Sequence, residues 1–477
     1  MRILLTASEM EPLARTGGLG DVLEALPAEL AARGSEVSVV LPCYRGIRGN
    51  SALGVTSTGV EIPVQLGGKR VTAEILQCTA PNGVQVFLVA RDEYFDRAGL
   101  YGEAGRTYDD NAERFIFFSK AVVELARRIT PPPDLIHAND WQTALIPLLI
   151  KDRRLPFRSV LTIHNLAYQG SFWGVDFGLT NLPGDYFTTR GLEFYGNMNL
   201  LKGGILFADQ ITTVSGRYAR EIQTPELGAG LDAVMREQAH KLTGILNGAD
   251  YRLWNPATDP ELPANYTIEN LDGKTICCAA LLKKVGLAPD PAGPVFALVA
   301  RLAQQKGIDL LIPVLDRLLS HDARLVVLGE GDTDFERELT IASRRHAERF
   351  CFRAKMAGPL AHLIYAGADV FLQPSHFEPC GLTAMYSLKY GALPIAHATG
   401  GLYEMIQDYD PTTNTGNGVL FFDDNAEAFW DAIVRVLGYF TDREHWQMLM
   451  RRAMACDFSW SRSVEKYEAV YRKALGK

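Results

Sequence analysis

The feature that most constrains this chain is a pattern that begins twice. Near the N-terminus an apolar run, Ile3–Ala7, leads into a loop, Arg15-Thr16-Gly17-Gly18-Leu19-Gly20. A segment follows whose apolar residues Val22, Leu26 and Leu30 recur at helical spacing. Asp21 is placed to cap that helix, Arg33-Gly34 ends it, and Glu36–Leu41 is the next strand. Past the middle the same order returns: strand Val295–Ala300, loop Arg301–Gly307, helix Ile308–Leu319, strand Arg324–Leu328, then Gly329-Glu330-Gly331-Asp332. Asp369–Gln373, Leu393–Ala396 and Gly418–Phe421 read as further strands. Units of this kind build parallel sheets covered by helices. The expectation is an α/β chain of two Rossmann-like, doubly wound domains.

Length agrees, because 477 residues exceed the roughly 250–300 that one hydrophobic core supports. The first domain is expected over 1–245 and the second over 246–458, with 459–477 as a closing segment. Asn255 to Pro263, rich in Pro, Asp and Thr, reads as a surface loop beyond the joint. Ser461–Leu475 reads as an amphipathic helix carrying Tyr467 and Tyr471.

Ligands of open parallel sheets sit at the carboxyl ends of the strands, where the winding reverses. Two such sheets facing each other would enclose a cleft, and the informative motifs all fall at strand ends. Gly17, Gly18 and Gly20 let a backbone approach a phosphate, helped by free N–H groups at the helix start and by the charge of Arg15. A plain tight turn explains the same glycines. Arg301 and Lys306 suit a diphosphate leaving group; two solvated surface charges are the competing account.

The most informative segment is Pro374-Ser375-His376-Phe377-Glu378-Pro379-Cys380-Gly381-Leu382-Thr383. Glu378, held between Phe377 and Pro379, is suited to sugar hydroxyls. The N–H groups of Gly381, Leu382 and Thr383 suit an anion. Cys380 reads as a small packing residue rather than a nucleophile. In the first half, Asp140 (in His137-Ala138-Asn139-Asp140-Trp141) and His164 (in His164–Gly170) arrive at one sheet edge, beside Trp141 and Tyr168. That set fits polyol recognition; a helix cap for Asp140 and a core role for His164 are the structural alternatives.

Other functions are disfavoured. A net charge of −8 argues against a nucleic-acid backbone binder, which needs a basic face. The opening apolar run is too short for a signal core or a membrane span. Seven cysteines without a CxxC fit reduced thiols in a cytoplasm. The Asp-x-Asp triplets Asp332–Asp334 and Asp408–Asp410 carry little weight as metal ligands, and no metal is expected.

Taken together these motifs resemble the bacterial glycogen synthase and plant starch synthase family over nearly the whole chain. Its most specific anchors are Asn247-Gly248-Ala249-Asp250 with Trp254–Asp259, and Phe377–Leu382. The resemblance implies the GT-B fold, a last helix crossing back to the first domain, and cytoplasmic synthesis of an α-1,4-glucan. It also implies glucose transfer from ADP-glucose with retention of configuration and without a cofactor. Residue by residue, Arg301 and Lys306 would bind the diphosphate, and Gly17 and Gly18 would lie against phosphate and glucose. Glu378 would hold the glucose 3- and 4-hydroxyls. His164 and Asp140 would surround glucose and acceptor, and Asn247 would touch glucose. The chain departs from the family at four places. Arg15 stands where Lys is usual, His376 where Arg is usual, and Ala384 lies where Gln or Asn-Gln is usual. Lys355–Pro359 replaces a segment that usually carries an adenine-stacking aromatic, leaving Met356 to meet the base. The rival readings are a glucan phosphorylase, the same transfer from UDP-glucose, and a catalytically impaired glucan-binding homologue.

Overall fold

The computed structural model describes residues 1–103, 105–289, 293–355 and 358–477. They fall into two units: Met1–Gly248 together with Trp460–Lys477, and Ala249–Ser459.

The first unit is built on a nine-stranded sheet. In spatial order its strands are Leu242–Gly244, Gln210–Thr213, Arg158–Ile163, Leu135–Asn139, Arg2–Thr6, Glu36–Pro42, Gln85–Ala90, Lys69–Thr79 and Thr56–Leu66. All neighbours are parallel except at the last edge, where Gln85–Ala90, Lys69–Thr79 and Thr56–Leu66 form an antiparallel meander. Arg2–Thr6 pairs with Glu36–Pro42 on one side and Leu135–Asn139 on the other. The winding therefore reverses around the first strand, and the loops leaving Thr6 and Asn139 open beside one another.

Helix Gly18–Ala32 starts three residues earlier than its expected cap. Gly17 is the N-cap and Asp21 lies inside the first turn. The correction has a simple cause: Gly17 takes the extended conformation an N-cap needs, and Asp21 follows as an acidic first-turn residue that favours the helix dipole. The closing helix, Trp460–Ala474, buries Val464, Tyr467 and Tyr471. Glu468 on it accepts from the Arg33 Nε at 3.2 Å, and the Tyr471 hydroxyl lies 2.9 Å from His137 Nδ1.

The second unit carries a six-stranded, all-parallel sheet. Its order is Phe350–Arg353, Arg324–Leu328, Val295–Val299, Val370–Gln373, Leu393–His397 and Val419–Phe421. Here the winding reverses around Val295–Val299, so the loops that start at Ala300 and Pro374 share one opening. The expected helix Ile308–Leu319 is interrupted: Ile308–Leu311 and Leu315–Ser320 flank a 3-10 turn at Ile312–Val314. Pro313 has no N–H to donate and its ring crowds the preceding turn.

Asn255–Pro263 is not a simple surface loop. Asp259 within it is buried and accepts from the Tyr390 hydroxyl at 2.5 Å, with His362 Nδ1 at 2.7 Å. Composition marks the turn residues but not the inward acid. Among the described residues no helix is long and apolar enough to cross a membrane.

Candidate functional site

The second unit brings its motif residues together. Lys306, on the loop after Val295–Val299, places Nζ 2.5 Å from Glu378 Oε2, on the loop after Val370–Gln373. The same carboxylate oxygen accepts from Ser375 Oγ at 3.2 Å. Glu378 is buried, yet Oε1 makes no bond among the described residues. The arrangement is an ion pair with one acceptor oxygen and two ammonium protons left for a ligand.

Two glycines make this approach possible. Gly307 has φ +66°, and a Cβ there would lie 1.9 Å from the Pro374 carbonyl oxygen. Gly400 has φ +45°, and a Cβ there would lie 1.9 Å from the Glu378 carbonyl oxygen, which also accepts the Gly401 N–H at 3.0 Å. A side chain at either position would force the loops apart.

Arg301 is exposed on the Lys306 loop, and its guanidinium makes no hydrogen bond or ion pair among the described residues. Gly381 caps helix Leu382–Lys389. The first N–H groups of a helix have no intrahelical acceptor, so those of Leu382 and Thr383 remain available. The Thr383 hydroxyl is engaged, accepting from Gln373 Nε2 at 2.7 Å. Cys380 is buried and unbridged. Met356 lies outside the described residues.

In the first unit the glycine loop is arranged differently from expectation. Glu9, three residues beyond the first strand, accepts from the Thr16 N–H at 2.7 Å, the Thr16 hydroxyl at 2.7 Å and the Gly17 N–H at 3.0 Å. The Tyr101 hydroxyl adds a fourth bond at 2.7 Å. The Gly20 N–H is taken by the Gly17 carbonyl. Of the N–H groups expected to be free for a phosphate, those of Gly17 and Gly20 are therefore occupied, and Gly18 and Leu19 remain at the helix start. Arg15 pairs with Asp21 at 3.1 Å and with Glu11 at 3.9 Å. Burial raises the Asp21 carboxyl to about 7, against the opposing pull of Arg15.

Asp140 and His164 do meet. Asp140, a non-glycine residue at φ +57°, accepts the His164 N–H at 2.7 Å. Its side chain thus joins two strand ends instead of capping a helix. Burial lifts its carboxyl to about 7. His164 Nε2 lies 3.0 Å from Asn139 Oδ1, while Asn139 Nδ2 donates to the Thr6 and His137 carbonyls. That orients the Asn139 oxygen toward the ring, so Nε2 carries the proton and Nδ1 is an acceptor. Burial pushes the His164 pKa down to about 3, so the ring is neutral. Asn247 is buried, with its Oδ1 lacking a hydrogen-bond partner in the described structure. An orphaned acceptor of this kind suits a missing hydroxyl donor.

Glu9 and Tyr101 have no motif to mark them, and Ser375, though inside the Pro374–Thr383 segment, carries no signal of its own; the only signal for Glu9 is its place just beyond the first strand. His137, inside a motif, has a core role between the Tyr471 hydroxyl and Thr162 Oγ1, at 2.9 and 2.6 Å. The Asp-x-Asp triplets are structural: Asp332 caps helix Thr333–Arg345, and Asp408 bonds Leu420 and Arg435.

Comparison with known proteins adds an independent line. A family model described as the starch synthase catalytic domain matches residues 2–237, and one described as glycosyl transferases group 1 matches residues 283–447. The glycogen synthase of Opitutus terrae is 43% identical over 481 residues, covering 100% of both chains. That of Anaeromyxobacter dehalogenans strain 2CP-1 is 45% identical over 479 residues, covering 99% of each. The catalytic domain of starch synthase IV from Arabidopsis thaliana, solved bound to ADP and acarbose, is similar with a TM-score of 0.92. It is 33% identical, covering 100% of this chain and 99% of that one.

Proposed function

Because this chain belongs to the glycogen/starch synthase family of glucosyltransferases, with its α/β GT-B fold, we propose that it transfers glucose from ADP-glucose to the non-reducing end of an α-1,4-glucan, with retention of configuration. The observation that carries the reading is the Lys306–Glu378 pair at the reversal point of the second sheet, with Arg301 on the same loop. It joins a charge for a diphosphate to an acceptor for sugar hydroxyls within one hydrogen bond. The Arabidopsis relative was solved with ADP and acarbose, which supports a nucleotide and a sugar chain as ligands here.

The bond that breaks joins the glucose anomeric carbon to a phosphate oxygen; the bond that forms joins that carbon to the acceptor's 4-oxygen. Negative charge develops on the departing ADP. Arg301, Lys306 and the N–H groups of Leu382 and Thr383 stabilise it, and such preorganised donors are the largest source of rate enhancement in many enzymes. Glu378 Oε1 holds hydroxyls of the glucose ring. Neutral His164 accepts a sugar hydroxyl at Nδ1, and Asn247 Oδ1 accepts another. The acceptor's proton passes to a departing phosphate oxygen, so the paired carboxylates of a hydrolase are not needed. No metal is assigned a part, since the cations on these loops supply the charge.

The test is glucose transfer to glycogen with ADP-glucose and UDP-glucose side by side. ADP-glucose should give the higher kcat/KM. Preference for UDP-glucose overturns the donor assignment, and no incorporation from either overturns the transferase reading.

A further inference from the structure

We propose that His376 is a positioning residue, whose ring ties three segments of the second unit together and thereby sets where Lys306 and Glu378 stand. The ring lies two residues before Glu378. Its Nε2 is 3.0 and 3.1 Å from the two carboxylate oxygens of Asp309, and its Nδ1 is 2.7 and 2.8 Å from those of Asp424. Asp309 follows the Lys306 loop directly, in helix Ile308–Leu311, and Asp424 follows strand Val419–Phe421. The backbone completes the clamp. The His376 N–H donates to the Gln305 carbonyl at 3.0 Å, and Gln305 Nε2 donates to the Phe377 carbonyl at 3.2 Å. Lys306 and Glu378 are thus the neighbours of two segments that bind each other in both directions.

Both ring nitrogens face groups that only accept. A neutral imidazole has one N–H and would set a lone pair against one carboxylate; the imidazolium donates to both. The ring is therefore held charged. Burial works against this, but the bonds to Asp424 and Asp309 outweigh it and hold the pKa above the ordinary histidine value. Asp309 and Asp424 are the charged groups that meet the ring. Of the other neighbours, Lys306 and Glu378 pair with each other. His397, on strand Leu393–His397, turns Nδ1 to the Ser375 carbonyl at 2.9 Å. The three side chains are partly exposed, at 22% for His376, 33% for Asp309 and 42% for Asp424, so solvent protons reach them.

The consequence has a definite sign. A histidine whose pKa is raised by folding contributes fully below its unfolded value of about 6.5 and loses that contribution as pH rises through the folded value. The clamp therefore loosens on the alkaline side, and it does so at the donor loops. This rests on the reading that Lys306 and Glu378 bind the donor.

The experiment measures ADP binding by calorimetry and donor KM from about pH 6 to about pH 9 for the wild type, His376→Arg and His376→Gln. Arginine keeps its charge throughout this range. The wild type should weaken about three- to tenfold on the alkaline side, the size of one ordinary net hydrogen bond. His376→Arg should remove that decline, and His376→Gln should be weak already at low pH, with the acceptor KM unchanged in both. Imidazole NMR of the wild type should show the His376 ring titrating above free histidine. A ring that titrates at or below the free value, or an alkaline decline that His376→Arg retains, overturns the proposal. Lys306→Ala and Glu378→Ala serve as controls: if neither weakens ADP, it is the donor-site reading that fails.

Discussion

The glycine loop of the first unit and the Lys306–Glu378 loops of the second unit share a sequence pattern, an apolar strand followed by glycines and a cation, yet they are built on opposite principles. In the first unit the charges are satisfied internally. Glu9 takes the N–H groups of Thr16 and Gly17, and Arg15 answers Asp21 and Glu11. In the second unit the loops are pressed together by residues without side chains, and the charges stay available. Arg301 is exposed, Lys306 has protons to give, and Glu378 keeps an unbonded oxygen. The difference teaches that a glycine-rich loop and a cationic loop at equivalent sheet edges do different work. One is closed on its own charges, and the other keeps charge available at its sheet edge.

The most direct way to break this division is Lys306→Ala. If the second unit carries the leaving-group charge, kcat/KM should fall by about 10²–10³, the usual cost of removing one preorganised donor. Steady-state kinetics on glycogen checks it, and a loss under about threefold would move the charge elsewhere. Gly307→Ala tests whether the loops interlock as tightly as described. A left-handed alanine costs about 1–3 kcal/mol, and the Cβ must also displace Pro374. Thermal unfolding should show that loss, whereas Gly17→Ala, with nothing within 4 Å of its Cβ position, should be mild.

Glu9→Gln sharpens the contrast from the other side. An amide keeps one acceptor oxygen and loses the charge, leaving the Thr16 and Gly17 donors poorly matched at about 1–3 kcal/mol. Its effect should fall on stability and donor KM more than on kcat, opposite to Lys306→Ala. Asp140→Asn addresses the sheet end. Burial raises the Asp140 carboxyl to about 7, so the folded state holds a proton that the unfolded state releases near its ordinary value of about 4. Asp140 therefore lowers stability as pH rises from about 4 to about 7. The variant should flatten that part of the pH–stability curve, read by urea titration. The smallest effect expected is Tyr471→Phe, which removes the hydroxyl beside His137 and should cost about 1 kcal/mol.

Much of this is legible in the sequence because it depends on neighbours in the chain. Strand Arg324–Leu328 matches its expected bounds, since a short apolar run closed by Gly329 admits few other structures. The Pro374–Thr383 segment announces a site because an acid between Phe377 and Pro379 ahead of a glycine-capped helix has few other uses. Apolar periodicity carries the expected helix from Ile308 straight through Pro313, because periodicity does not register a missing N–H. Nothing along the chain marks Asp259 and Glu9 as buried acids. Their partners Tyr390 and Tyr101 lie far away in sequence.

By itself the sequence determined the doubled strand–loop–helix order, the family and the residue types gathered at the sheet edges. Those follow from spacing, propensity and composition, which act over a few residues. Tertiary structure alone decided that the Gly17 N–H is already taken, that His164 is neutral with its proton on Nε2, and that His376 bridges Asp309 and Asp424. Each of these is a question of protonation or hydrogen-bond partnership, and burial together with the nearest acceptor in space, not in sequence, sets both.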